Sequence, residues 1–250
     1  MKVSIITVCY NAEKHIEETI QSVLSQDFND LEYLLIDGGS NDSTVEIVNK
    51  YNSKIDFIIS EKDEGMYDAM NKGIKLAKGE LIGILNAGDL FVNEKVVSEI
   101  VNKIEEKDAV YADLDYVNEL NTNKVIRKWK SGEFNFTNFK YGWMPPHPTL
   151  FIRKKIYENF GMYRLDYKTA ADYELMLRIF YKNECSAVYL NKVIVKMRVG
   201  GASNSSIKNR INANMEDRKA WKDNELKPYW FTLFLKPARK IIQYLHFNNI

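Results

Sequence analysis

Two periodicities alternate through the first part of this 250-residue chain. A β-branched run at 3–8 gives way to Ile16, Ile20, Val23 and Leu24, which fall on one face at helical spacing. The same unit returns as residues 31–36 followed by Val45, Val48 and Tyr51, and again as residues 55–59 followed by Met66, Met70, Ile74 and Ala77. A fourth run at 81–85 ends in a loop, after which Val96, Val97, Ile100 and Ile104 mark another helix. Repeated strand–helix units force parallel strands with helices on both faces, so the predicted fold is α/β, with a mostly parallel central sheet flanked by helices. Asp42 or Ser43 suits the N-cap of the second helix and Asn93 that of the fourth, because their side-chain oxygens can accept from orphan amides.

Beyond residue 109 the rhythm changes to short strand-like pieces, AVYAD and KVIRKW, with no long helix until after Ala170. This divides one domain (1–205) into halves at 1–108 and 109–205, followed by a helical appendage at 206–250. The stretch carrying Phe134, Phe136, Phe139, Tyr141 and Trp143 either lines a sugar-binding face or packs into the core, as large aromatics commonly do. From Leu226 onward the chain has four Lys or Arg and no acid, with an apolar run at 229–235 broken only by Thr232. Such a tail either lies on an anionic membrane surface or packs as a helix on the domain or a second subunit.

Composition narrows the function classes. Lys and Arg total 35 against 34 for Asp and Glu, so no overall field favours nucleic acid. Cys9 and Cys185 are too few for a disulfide framework and lack metal-ligand spacing, which fits buried thiols in a reducing compartment. The N-terminal residues lack the long apolar region and small-residue cleavage site of a signal peptide. No stretch approaches the roughly 18 apolar residues needed to cross a bilayer. The expected location is cytoplasmic, with attachment to the cytoplasmic face of a membrane if the tail binds lipid.

Candidate chemistry sits where apolar runs stop. Open α/β sheets bind ligands outside the carboxyl ends of their strands, and several of those ends carry an acid or amide. TVCYN, IDGGSNDST, EKDEGMYDAMNKG, LNAGD and ADYEL, in that order, resemble a family 2 glycosyltransferase of GT-A fold over residues 1–203. The resemblance implies inverting transfer of a sugar from a nucleotide diphosphate sugar to a hydroxyl of a glycan or lipid-linked glycan, with Mn or Mg as cofactor. A UDP-sugar is the expected donor by family frequency. On the donor side it implies Thr7, Tyr10 and Asn11 around the nucleoside, Asp37 at the base, and Asp63 just after the third strand. Asp68, Asn71 and Lys72 follow on the next helix, where the commoner pattern has an arginine in the place of Met70. Asp37 can equally form an Asx turn that orders Gly38 and Gly39, and Lys72 can equally face water.

The family's acidic pair after the fourth strand appears here as Asn86, Ala87, Gly88 and Asp89, leaving one carboxylate for a metal. Divalent cations of this class accept one or two carboxylates plus phosphate oxygens and water, so Asp89 with a diphosphate can suffice. The same residues also suit a plain turn, in which case Lys72, Arg178 or Arg198 would have to balance the leaving charge.

Inverting transfer needs a base. Asp172 matches the family's catalytic acid, with Ala171 in place of the usual preceding carboxylate, and Asp172 also suits a helix N-cap. His147, set between prolines, is either structural or part of the acceptor site that this segment borders in similar proteins. Arg178 can reach acceptor or phosphate or pair with a surface acid, and Arg198, ahead of Gly200, Gly201 and Ser203, can belong to a closing flap. A nicotinamide dehydrogenase is excluded by the absence of GxGxxG after the first strand. The alternative to an enzyme is a nucleotide- or glycan-binding relic, suggested by the acids missing at positions 86, 88 and 171.

Overall fold

Strand β1 (Val3–Cys9) is buried along its whole length because both of its faces are covered. Ile6 and Val8 point into one core and Val3, Ile5 and Cys9 into the other, the period of two that a strand imposes. Strands β2 (Leu31–Asp37) and β4 (Leu81–Ile84) flank it in parallel, with Val3 opposite Leu31 on one side and Leu81 on the other. Strand β3 (Phe57–Ser60) extends the parallel run beyond β2. The molecule is a computed structural model that describes residues 1–199 and 207–245.

Helices α1 (Ile16–Leu24), α2 (Thr44–Asn49) and α4 (Val96–Ile104) cover the face that carries Ile5. Helix α3 (Met66–Leu76) lies on the opposite face, close enough that a Cβ on Gly73 would come within 2.5 Å of the Ile6 side chain. The expected caps act just outside these helices. Asp42 accepts the Thr44 amide at 3.0 Å and Asn93 the Lys95 amide at 2.9 Å, while Ser43 makes no cap bond.

The second half departs from a parallel sheet. After the two-residue β5 (Leu90–Phe91), strands β6 (Ala109–Val117) and β7 (Val125–Trp129) form a hairpin. Two short 3₁₀ turns then return the chain to β8 (Phe151–Arg153) without the crossover helix that a parallel strand requires. Hence β8 is antiparallel to both β4 and β6, β9 (Ala187–Arg198) is parallel to β6, and β5 is antiparallel to β9. Among the described residues the order is β3-β2-β1-β4-β8-β6-β9-β5, with β7 added to β6. The parallel expectation therefore holds through β4, and the sheet is mixed beyond it.

Helix α5 (Lys154–Phe160) follows β8, and α6 (Ala171–Met176) runs on as a π-helical stretch, Leu177–Lys182. The aromatic stretch before β8 is mainly core. Phe139 and Trp143 are buried edge to face at 5.4 Å, and Trp143 Nε1 donates to the Ser131 carbonyl at 2.8 Å.

Helices α7 (Ile207–Asp223) and α8 (Thr232–Leu245) pack on this half. Leu233 is buried, Thr232 donates to the Lys140 carbonyl at 2.6 Å, and Arg239 to the Tyr141 carbonyl at 3.0 Å. Gly142, at φ +71°, lets α8 pass, since a side chain there would overlap the Lys236 backbone. Cys9 and Cys185 are free, buried thiols. Among the described residues no helix is long and apolar enough to cross a membrane.

Candidate functional site

Because β1 to β4 are parallel, their carboxyl ends share one edge of the sheet, and the loops that leave them meet there. Residues 10–13 and 39–44 are zipped together. Asn11, held at φ +47°, accepts the Asn41 amide at 2.9 Å and donates its own amide to Ser40 Oγ at 2.8 Å. The Ala12 amide donates to Thr44 at 2.7 Å, and Glu13 accepts the Ser43 amide at 3.0 Å.

Asp37 ties this loop pair to β3. Its carboxylate accepts the Gly39 and Ser40 amides at 3.2 and 3.0 Å, the Ser40 hydroxyl, and the Ser60 hydroxyl at 2.6 Å. Burial pushes the carboxyl upward, but these hydrogen bonds outweigh it and hold Asp37 below the ordinary aspartate value. The Asx turn is thus present. Tyr10, by contrast, stands 60% exposed at the loop tip.

Thr7 does not reach this edge. It sits on the Ile5 face of β1, fully buried, and accepts from the Tyr33 hydroxyl at 3.1 Å. Strand alternation places it there, so it belongs to the core beneath the loops.

The turn after β4 is fixed from below. Gly88 adopts φ +99°, which glycine permits without strain. Thr19 of α1 accepts the Gly88 amide and donates to the Asp89 carbonyl, each at 2.9 Å. Arg198 binds the Gly88 carbonyl at 2.7 Å and pairs with Glu18 at 2.7 Å, so it braces the same turn from β9. Gly200, Gly201 and Ser203, read as its flap, lie outside the described residues. Asp89 is buried and its pKa is pushed up to about 8 by burial, against the opposing pull of Arg198 and a hydrogen bond from Asn86. Asp89 Oδ2 and Asn86 Oδ1 have no hydrogen-bonding partner among the described residues. Two orphaned hard oxygens at the two ends of one four-residue turn are donors of the kind a magnesium or manganese ion accepts. Among the described residues, however, no three acids or histidines gather as a ready-made metal cage.

Asp63, Asp68 and Lys72 form the opposite rim. Asp63 accepts the Gly65 amide at 2.9 Å, and its carboxylate fills the space where Gly38 lacks a side chain. Lys72 pairs with Glu61 at 2.8 Å and Asp68 at 3.5 Å, and the Glu61 bond raises its pKa. Asn71 faces inward instead. Its amide group exchanges two bonds with the backbone of Tyr163, at 2.8 and 3.0 Å. Asn71 therefore fastens α3 to the loop after α5 and is buried away from the edge.

Asp172 lies half-buried in the first turn of α6, where Tyr67 of α3 donates to it at 3.3 Å. Tyr67 stacks on Tyr163 at 5.6 Å, and the Tyr163 hydroxyl is 2.6 Å from His147 Nε2. Burial lowers the His147 pKa while Asp172 pulls it back, which favours a neutral imidazole. Beside Tyr67 a cleft of about 310 Å³ opens, lined by residues that include Gly65, Asp68, Leu165, Tyr167 and Lys168.

Arg178 belongs elsewhere. All five of its N–H donors are engaged, on the Phe160, Gly161 and Met162 carbonyls and on Glu174. It closes the carboxyl end of α5 and has no donor left for a phosphate. Sequence reasoning missed Thr19, Tyr67 and Tyr163; a threonine on the apolar face of α1 was the one available signal.

A family profile described as Glycosyl transferase family 2 matches residues 4–161. A PGL/p-HBAD biosynthesis glycosyltransferase of Mycobacterium bovis is 28% identical over 211 residues, covering 82% of this chain and 80% of the relative. An uncharacterized glycosyltransferase of Mycobacterium tuberculosis is 31% identical over 186 residues, covering 70% of this chain and 68% of the relative. Among solved structures, S. aureus TarS 1–349 in complex with UDP-GlcNAc superposes with TM-score 0.70 at 20% identity, over 98% of this chain and 69% of that one. The mannosyltransferase PcManGT of Pyrobaculum calidifontis, in complex with GDP-Man and Mn2+, superposes with TM-score 0.66 at 19% identity, over 99% of this chain and 70% of that one. These likenesses show the GT-A fold.

Replacing Asp37 by asparagine deprives the part-buried Gly39, Ser40 and Ser60 donors of their charged acceptor, at an expected loss of about 1 kcal/mol at pH 7. The native carboxyl titrates below the ordinary 3.8, so the parent's advantage is fully present above that value and disappears as pH falls through the lowered native one. Urea unfolding of parent and Asp37→Asn from pH 7 to pH 3 should show the two curves converging only at the acid end.

Proposed function

The chain belongs to glycosyl transferase family 2, and on that footing we propose that it moves a sugar from a nucleotide diphosphate sugar, a UDP-sugar first, to a hydroxyl of a glycan or lipid-linked glycan, with inversion. The observation that carries this reading is Asp172, half-buried at the head of α6 and hydrogen-bonded to Tyr67 in the first turn of α3, the helix that follows the carboxyl end of β3. The UDP-GlcNAc and GDP-Man complexes of the structural neighbours support a nucleotide-sugar donor.

Four moves make up the reaction. The acceptor oxygen attacks the anomeric carbon, the bond from that carbon to the diphosphate breaks, the hydroxyl proton passes to the Asp172 carboxylate, and the nucleoside diphosphate departs. An aspartate is a weak base in water, so orientation by Tyr67 and exclusion of water by the Tyr163–His147 wall carry much of the work. His147 is neutral and held by Tyr163, which makes it part of that wall.

Tyr10 and the zipped loops form the nucleoside side, and Asp89 with Asn86 would hold a magnesium or manganese ion. When bound, such an ion neutralises the charge that develops on the leaving diphosphate. Lys72, already paired with Glu61 and Asp68, would contribute only a screened positive charge from the rim.

The relic reading draws support from the small acid count around Asp89. Enzyme and relic separate on one variant. Asp172→Asn should still bind UDP but lose about 10²–10⁴-fold in transfer, the usual weight of a general base. Transfer by Asp172→Asn at the parental rate would remove Asp172 as the base, and a parent that binds UDP without transferring sugar would favour the relic.

A second element of the reading concerns the start of α8, docked through Thr232 and Leu233, where Phe234 is 63% exposed and Trp230, just ahead of the helix, is 85% exposed. With Lys227 and Arg239 exposed and no acid from residue 226 onward, this segment suits an anionic lipid surface. Vesicles of phosphatidylcholine with about one-third phosphatidylglycerol should co-sediment the parent at low salt and release it at high salt. The Trp230→Ala, Phe234→Ser double variant should stay in the supernatant; equal sedimentation of both proteins would remove the lipid contact.

A further inference from the structure

Helix α6 begins without a cap from its own segment: the residue ahead of it is Ala170, which has no side chain to offer. The backbone amides of the three residues just ahead of the helix are taken instead by a carboxylate from another element. Glu216 of α7 accepts the Lys168 amide on one oxygen at 2.8 Å. Its other oxygen accepts the Thr169 amide at 2.8 Å, the Thr169 hydroxyl at 2.9 Å and the Ala170 amide at 2.9 Å. Charge-assisted bonds of this kind are about twice as strong as neutral ones. They outweigh the effect of burial and hold the Glu216 carboxyl below its ordinary value, so it stays charged near neutrality.

Glu216 is one of several grips. Lys219 binds the Asp166 carbonyl at 2.9 Å, Asp223 accepts from Tyr167 at 2.8 Å, Trp221 donates to Tyr173 at 2.9 Å, and Asn224, just past α7, donates to Glu174 at 3.2 Å. Both sides of Asp172 in sequence are thus fastened to α7 or the residue after it, while Asp172 itself turns to Tyr67 of α3. The Tyr67–Asp172 bond, at 3.3 Å, is near the limit of a hydrogen bond, so a small shift of the head of α6 breaks it.

We propose that Glu216 is a positioning residue for the transfer reaction: by binding the three amides ahead of α6 it fixes where the Asp172 carboxylate stands. The proposal rests on the reading of Asp172 as the base. It also makes α7 part of the catalytic unit, where the sequence suggested a C-terminal helical appendage beginning at 206.

The test uses the full chain and the hydrolysis of UDP-glucose, UDP-N-acetylglucosamine and GDP-mannose to water, followed as release of the nucleoside diphosphate. Glu216→Gln keeps the side-chain volume and one accepting oxygen, so the fold is retained. With the best of the three donors, its kcat should fall about 10–100-fold, the scale of an ångström misplacement, with KM changed less than about twofold. Hydrogen exchange at 168–170 should quicken about tenfold while exchange in β1 and β2 stays as in the parent. A purely structural role would lower the melting temperature and leave kcat of the folded protein unchanged. Parental kcat in Glu216→Gln, alongside an inactive Asp172→Asn, would overturn the positioning role and leave the base intact. Full activity in Asp172→Asn would remove the base itself, and with it the proposal.

Discussion

Everything at the site depends on the register of β1 between two parallel neighbours. Val3 faces Leu31 and Leu81, so Cys9 comes level with Asp37, and the chain turns out of both strands at the same height. A shift of one residue would exchange the faces of β1 and carry Ile6 away from α3. It would also unzip the bonds between residues 10–13 and 39–44. Apolar burial on both faces sets this register, and the polar loops inherit their positions from it.

The second half of the chain fastens Asp172 beside α3. It does so with contacts between distant segments. Asn71 joins α3 to Tyr163, Tyr67 meets Asp172, Arg178 closes α5, and Glu216 takes the amides before α6. Arg198 and Thr19 do the same for the Asn86–Asp89 turn from two other elements. The loops at the sheet edge are therefore braced by rigid neighbours, which suits a reaction in which a nucleophile, a leaving group and a base must be aligned.

Much of this was legible in the sequence, and the divisions are instructive. Strands β1, β2 and β4 and helices α1, α3 and α4 follow from periodicity because both faces of the parallel sheet are covered. Thr7 was misread although the same periodicity held the answer, since Thr7 shares its face with Ile5 and Cys9 rather than with the loop residues. The acid partner of Arg178, Glu174 one helical turn earlier, was legible in the sequence, but its other partners are the carbonyls of residues 160–162, and no side-chain pattern announces a carbonyl. Glu216 was invisible for a related reason: it caps amides 46 to 48 residues away. Strands β5 and β8 are only two and three residues long, too short for alternation to register.

Calorimetric titration of UDP with and without Mn2+, into the parent and Asp89→Asn, reads directly whether the proposed nucleoside diphosphate site includes the Asn86–Asp89 turn. UDP should bind the parent in a manganese-dependent way and lose that binding in Asp89→Asn, with the variant still folded. UDP binding that needs no metal and survives Asp89→Asn unchanged would place the turn outside that site.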